Sequence, residues 1–258
     1  MGSRTAQLQA FERLLDIMDE LREKCPWDRK QTFETLLHLT IEETYELGDA
    51  ILENDLREIK KELGDLLLHI VFYSKIGSEK KAFDIADVAN QISDKLIHRH
   101  PHIYGETDEE DADQVVKNWE DIKLKEGKKS VLEGVPNSLP ALVKAYRIQE
   151  KVSGVGFDWD QKEAVLEKVK EELDELRTQI DAGDSKKMEA ELGDVMFSLV
   201  NYARFLKVNP ENALERTNKK FIKRFNYIEE KAKKSQRKVT ELSIEEMEVL
   251  WEEAKKTE

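Results

Sequence analysis

Cysteine is almost missing from this 258-residue chain. Cys25 stands alone, so no disulfide can form within the chain, and a reducing cytoplasmic setting is expected. Proline and glycine are scarce, at five and eleven residues, which leaves few turns and few breaks in helices. Long apolar runs are missing too: "LLLHIVFY", from Leu66 to Tyr73, is far short of the roughly 20 residues that span a bilayer. The N-terminal stretch "MGSRTAQLQA" has no apolar h-region, so a soluble protein with no membrane partner is expected. Positive charge is in deficit, with 42 Lys and Arg against 55 Asp and Glu and a net charge of -13. No nucleic-acid partner is expected, because general binding through the phosphate backbone needs a basic footprint.

What the chain does have is charge and helix formers: 38% of residues are charged and 39% are hydrophobic. Glu, Lys, Leu and Ala dominate, and the fold class expected is all-α. The chain is also written twice. "EETYEL" at 42–47 returns as "EELDEL" at 171–176, and "ELGDLLLHIVFYSKI" at 62–76 as "ELGDVMFSLVNYARF" at 191–205, both 129 residues later. Trp27-Asp28 pairs with Trp159-Asp160, and "NWEDIK" at 118–123 with "LWEEAK" at 250–255, both at an offset of 132. Two tandem helical-bundle domains are expected, over 4–126 and 155–258. Between them, residues 127–154 carry turn signals and then one amphipathic helix, "ALVKAYRIQEKV", which is either a spacer or docked on a neighbour. Within the copies, helices are expected at 32–53, 56–76 and 84–99, the last stopped at Pro101, and at 161–181, 186–206, 210–234 and 243–256.

The repeated blocks are crowded with acids. Glu43 and Glu46 share a helical face, as do Glu62 and Asp65. In one continuous helix Glu46 and Glu62 would lie about 24 Å apart; folded as a hairpin they meet. Glu46 and Glu62 each stand eight residues from position 54, and Glu43 and Asp65 each stand eleven from it. The second copy repeats this about residue 183, with Glu175 and Glu191 at eight and Glu172 and Asp194 at eleven. Leu63, Leu66, Leu67 and Ile70, like Leu192, Val195, Met196 and Leu199, form a stripe beside the acids that is expected to place them near the core. Carboxylates packed so closely must raise their pKa values or hold a cation. Oxygen ligands without histidine or cysteine select magnesium, or manganese, over zinc. The Glu-x-x-His pairs of di-iron bundles are absent from both hairpins.

A magnesium cage with open positions suits a polyphosphate. Each copy adds a Lys-x-x-x-Arg on one helical face, Lys95 with Arg99 and Lys220 with Arg224, and each ends in a tryptophan, Trp119 or Trp251, able to stack on a base. Singly these are ordinary surface and core features, and their recurrence is what gives them weight.

The pattern EExxE, fifteen residues, then ExxD, in "EETYE…ELGD" and "EELDE…ELGD", resembles that of the all-α nucleoside triphosphate pyrophosphohydrolases. "CPWDRKQT", "HRHPHIYGE" and "GVPNSLPAL…VGFDW" resemble the two-domain MazG branch of that family. The resemblance implies a magnesium-dependent homodimer that hydrolyses (d)NTP to (d)NMP and pyrophosphate. It implies metal ligands at Glu43, Glu46, Glu62 and Asp65 and at Glu172, Glu175, Glu191 and Asp194. Around the nucleotide it implies Lys95, Arg99 and Trp119 in the first copy, and Lys168, Lys187, Lys220, Arg224 and Trp251 in the second. Glu42 and Glu171, beside the ligands but about 100° round the helix from the next Glu, are the candidates either to orient the attacking water or to support the ligands from behind. The alternatives are a chain with one silent copy that serves dimerisation or regulation, the second copy being the favoured active one, and a non-catalytic helical scaffold. His98, His100 and His102 are expected to be structural or to rim the substrate, because Pro101 interrupts them and the second copy has Lys223, Phe225 and Tyr227 there.

Overall fold

The computed structural model describes residues 2–105, 122 and 130–256. Among the described residues every regular element is a helix, and they separate into two compact units, 2–105 in the first and the remainder in the second. The first unit contains α1 (Arg4–Lys24), α2 (Phe33–Glu53), α3 (Leu56–Glu79), α4 (Ile85–Arg99) and the single turn α5 (Pro101–Tyr104). The second contains α6 (Ala141–Ser153), α7 (Lys162–Ala182), α8 (Ser185–Phe205), α9 (Pro210–Lys234) and α10 (Ile244–Lys255). The all-α expectation holds, and α1 and the single turn α5 have no counterpart among the helices expected from the sequence. Pro101 does more than stop α4: it takes the first position of α5, where a missing N–H leaves no bond unmade.

The two hairpins, α2–α3 and α7–α8, are built by one device. Asn54 closes α2 in the left-handed region at φ 57°, and Gly183 closes α7 at φ 68°. In the first, Asn54 N–H donates to Ile51 O (3.1 Å) and Asp55 N–H to Ala50 O (3.0 Å), the Schellman pattern that satisfies the last helical carbonyls. In the second, Gly183 N–H donates to Ile180 O (3.1 Å) and Asp184 N–H to Gln179 O (3.3 Å). The following aspartate then caps the next helix: Asp55 accepts from Arg57 N and Glu58 N, and Asp184 accepts from Lys187 N. One left-handed residue and one N-cap therefore reverse the chain, and these are the positions about which the acids are equidistant.

The core of the first unit joins Met18, Leu36, Val71, Phe72 and Ile76, with Phe11, Leu14, Leu15, Phe33, Leu39, Leu68 and Tyr73 packed against it. Burying each large side chain contributes about 1.5–3 kcal/mol. Tyr73 is held by Thr40 across the hairpin, its hydroxyl 2.7 Å from Oγ1, and its ring stacks on Phe33 at 5.9 Å. In the second unit Val165, Val169, Val195, Val200, Ile228, Ala232 and Ala254 are buried.

The amphipathic helix between the copies is docked. α6 packs on α8, with Gln149 Nε2 donating to Phe197 O at 2.8 Å. It takes for the second hairpin the place that α1 takes for the first, since α1 packs on α3. Their last turns carry matching cations 129 residues apart, Arg22 half-buried and Lys151 buried. Arg22 donates to Asp28 O and to Gln31 O and pairs with Glu79, 2.9 Å from Nε to Oε1. Lys151 donates to Val131 O at 2.9 Å. Beyond α6, Arg204 of α8 reaches back to Ser153 Oγ (3.1 Å) and to the Asp158 carboxylate. Burial opposes ionisation of Asp158, but hydrogen bonds from Arg204, Ser153 and Trp159 N–H outweigh it and hold the carboxyl below its usual range.

Two outcomes follow. Gly183→Val places a β-branched residue in the left-handed region and is expected to cost about 1–2 kcal/mol in urea unfolding, whereas Asn54→Gly leaves stability nearly unchanged. Because the folded pKa of Asp158 lies below the unfolded value near 3.9, its contribution is fully present above that value and disappears as pH falls through the folded pKa. Asp158→Asn should accordingly lower the melting temperature at pH 7, with the difference from wild type shrinking only in strong acid.

Candidate metal centres

Hairpin closure brings the equidistant acids together. In the first unit, Glu43, Glu46 and Glu62 each place a ligand oxygen within 4.8 Å of the others, and in the second unit Glu172, Glu175 and Glu191 do the same. Asp65 and Asp194 fall outside these trios but act on them. Burial first, and then the charges of Asp65, Glu46 and Glu62, push the Glu43 carboxyl above its ordinary range. Burial again, then Glu175, Asp194 and Glu172, push Glu191 upward.

The two centres are not copies in detail. In the first, the deeply buried acid is Glu62 on the second helix of the hairpin, 3% exposed; in the second it is Glu172 on the first helix, 8% exposed. Each of these carries a lysine. Lys61 Nζ lies 2.8 Å from Glu62 Oε1, and Lys168 Nζ lies 2.9 Å from Glu172 Oε1 and 2.8 Å from Glu171 Oε1. The acids with raised pKa, Glu43 and Glu191, are the ones on the opposite helix.

Glu62 Oε2 is the observation that points to a cation. It is buried with no hydrogen-bond partner, although leaving a buried acceptor unpaired costs about 1–3 kcal/mol or more when it is charged. The surrounding donors are carboxylate oxygens, with no histidine or cysteine in either trio. The residues present therefore fit a hard divalent ion of the magnesium or manganese type.

Among the remaining expected site residues, Arg224 is half-buried on α9 with its guanidinium 5.4 Å from the ring centroid of Trp251 on α10. Phe221 meets the same ring at 5.1 Å, and a groove lined by Phe221, Phe225, Ile228, Met247 and Trp251 opens there. Lys220 is exposed, as is Lys95, while Arg99 is half-buried in the last turn of α4. Lys187 lies 3.7 Å from Asp184 at the hairpin turn. Glu42 and Glu171 are both exposed. Trp119 lies outside the described residues. His100 Nδ1 is 2.6 Å from Leu96 O, a backbone contact at the end of α4.

One expectation is corrected. The stripe beside the acids does not enter the core: Val195 is buried and Leu66 half-buried, but Leu63, Leu67, Ile70, Leu192, Met196 and Leu199 are exposed. A helical period fixes that residues share a face but not which face meets the rest of the fold, and α1 and α6 pack on the other side. On α2 the stripe continues through Leu37, Ile41 and Tyr45, each at least half exposed. The residue that pattern reading passed over is Lys61. Its only signal was a difference between the repeats, since the second copy has Ala190 at that position and the first has Leu39 in place of Lys168.

The MazG nucleotide pyrophosphohydrolase domain family matches the chain twice, over residues 31–104 and 160–228. The nucleoside triphosphate pyrophosphohydrolase/pyrophosphatase MazG of Thermotoga maritima is 48% identical over 250 residues, 95% of each chain. The nucleoside triphosphate pyrophosphohydrolase of Escherichia coli K12 is 40% identical over 260 residues, 97% of this chain and 99% of that one. A solved structure, a MazG-related protein from Thermotoga maritima, aligns with 44% of this chain and 98% of its own at 29% identity and a TM-score of 0.40.

Crowded like charges oppose folding until a cation enters. In EDTA, Glu43→Gln and Glu191→Gln, which keep shape and remove charge, are expected to melt above wild type. Added magnesium is expected to raise the melting temperature of the wild-type chain, and that of each variant by less, as read by calorimetry.

Proposed function

The chain belongs to the MazG nucleotide pyrophosphohydrolase family, and from that premise we propose that it hydrolyses nucleoside triphosphates to the monophosphate and pyrophosphate in a magnesium-dependent reaction. The observation that carries the metal part of this reading is the orphaned, buried Oε2 of Glu62 inside a trio of carboxylates. The same reading takes 4–126 and 155–258 as the tandem domains, with 127–154 joining them.

Glu43, Glu46, Glu62 and Asp65 would hold the ion in the first copy, and Glu172, Glu175, Glu191 and Asp194 in the second. A bound magnesium ion supplies neutralisation of phosphate charge and a more acidic water. The protein's own groups do the rest. Lys168, Lys187, Lys220 and Arg224 in the second copy, and Lys95 and Arg99 in the first, bind phosphate oxygens as the negative charge shifts toward the leaving group. Trp251 and Trp119 supply a flat apolar face for the base. Glu42 or Glu171 orients the attacking water and takes its proton. The P–O bond between the α and β phosphates breaks, and the phosphate group on the side away from the attacked phosphorus leaves with the electron pair, giving monophosphate and pyrophosphate.

The exposed stripe of Leu37, Ile41 and Tyr45 with Leu63, Leu67 and Ile70 supports the homodimer. A two-helix hairpin with an apolar outer face is half of a four-helix bundle, and a second copy of the chain completes it. Ile41→Glu with Leu67→Glu should shift the mass measured by light scattering from dimer toward monomer.

The activity is tested by phosphate release from a panel of dNTPs and NTPs, coupled to inorganic pyrophosphatase, with and without magnesium. Glu46→Ala and Glu175→Ala are each expected to cut turnover at their own centre by at least about 100-fold, the scale of losing an electrostatic catalytic contact. If only one variant loses activity, the other copy is silent. No magnesium-dependent turnover with any nucleotide would leave the scaffold reading.

A further inference from the structure

The lysines at the two centres obey a rule that the duplication itself does not supply. Positions 61 and 168 are not equivalent: the counterpart of Lys61 is Ala190 and that of Lys168 is Leu39. Yet each unit has one lysine in contact with its buried glutamate, on the same helix as that glutamate. Where burial falls on the second helix of the hairpin, the lysine is there; where it falls on the first, the lysine has moved to the first. Leu39 instead packs against the core of its unit. A buried carboxylate needs a positive partner, and the two copies meet that need from opposite sides.

The consequence concerns the order in which ligands enter. The ammonium occupies one oxygen of the acid that a divalent ion must also use, and its charge repels an incoming cation. Both side chains reach solvent, Lys61 at 59% and Lys168 at 36% exposure, so each can leave the carboxylate without disturbing the helix. The place for it to go is a polyanion.

We propose that Lys61 and Lys168 are built-in counterions of the metal-free centres, positioning residues that keep divalent-ion affinity low until a nucleotide triphosphate draws the ammonium away. Metal and nucleotide then bind with positive coupling, each raising the affinity for the other by the same factor. The inference rests on the reading of the carboxylate trios as metal sites. It adds Lys61 to the functional residues of the first copy and gives Lys168 a task before substrate arrives.

The test titrates Mn2+ into the full chain, followed by electron paramagnetic resonance, with and without an α,β-methylene deoxynucleoside triphosphate. One centre is silenced at a time, by Glu46→Ala with Glu62→Ala or by Glu175→Ala with Glu191→Ala. At the intact centre, Lys61→Met or Lys168→Met should tighten Mn2+ binding without nucleotide by about tenfold, the size of one charge-assisted hydrogen bond. The gain in Mn2+ affinity on adding nucleotide should shrink by a similar factor. Lys61→Arg and Lys168→Arg should restore weak binding and coupling. Lys170→Met is the control for charge alone, since Lys170 pairs with Glu167 at 2.8 Å, and it should change Mn2+ affinity less than about twofold. Unchanged or weaker binding in the methionine variants, or equal tightening in Lys170→Met, overturns the proposal while the metal reading stands. A wild-type chain that takes up no Mn2+ overturns both.

Discussion

Repulsion between carboxylates is the constraint on which this structure turns. Each hairpin gathers three glutamate oxygens within 4.8 Å, with an aspartate close enough to add its field. No folded chain gains stability from such an arrangement in isolation. The surrounding design consists of what holds it: Schellman-type turns that fix the crossing, braces that pack the far side of each hairpin, and a lysine at the acid that cannot reach water. Strain of this kind at a candidate site is the expected exception to local consistency in a natural fold.

The two units meet the constraint by mirror-related means. Burial, counterion and proton affinity are redistributed together: the acid that carries the lysine is deep, and the acid whose pKa rises is on the opposite helix. A decayed copy would be expected to lose such compensation piecemeal. Here a carboxylate trio and a lysine at its buried glutamate are present in both, although the lysine sits on a different helix of the hairpin in each. The difference is one of placement, with the buried acid and its lysine on the second helix of the first hairpin and on the first helix of the second.

Much of this was legible in the sequence because hairpin geometry is arithmetic. Equal distances from Asn54 and Gly183 name the pairs that must face each other, and the offset of 129 names the second set once the first is known. The helices expected near 84, 210 and 243 begin in the structure at the capping side chains of Asp84, Asn209 and Ser243. What escaped was relational. Whether Leu67 or Leu68 points inward depends on where α1 packs, and no periodicity within α3 contains that fact. Lys61 escaped because a lysine before a glutamate is commonplace until the glutamate is known to be buried. Linker helix α6 was legible as an element, but its role beside the second hairpin required seeing α1 beside the first.

The turns at Asn54 and Gly183 lie at the surface, where chains ordinarily gain and lose residues freely. These two lack that freedom. Every pairing between α2 and α3, or between α7 and α8, is counted from the left-handed residue, so one inserted residue would shift all the facing positions at once. Each reversal is a ruler as much as a connection. Its length, more than its composition, is the inherited quantity, and its exposed backbone conceals a coding constraint as strict as any in the core.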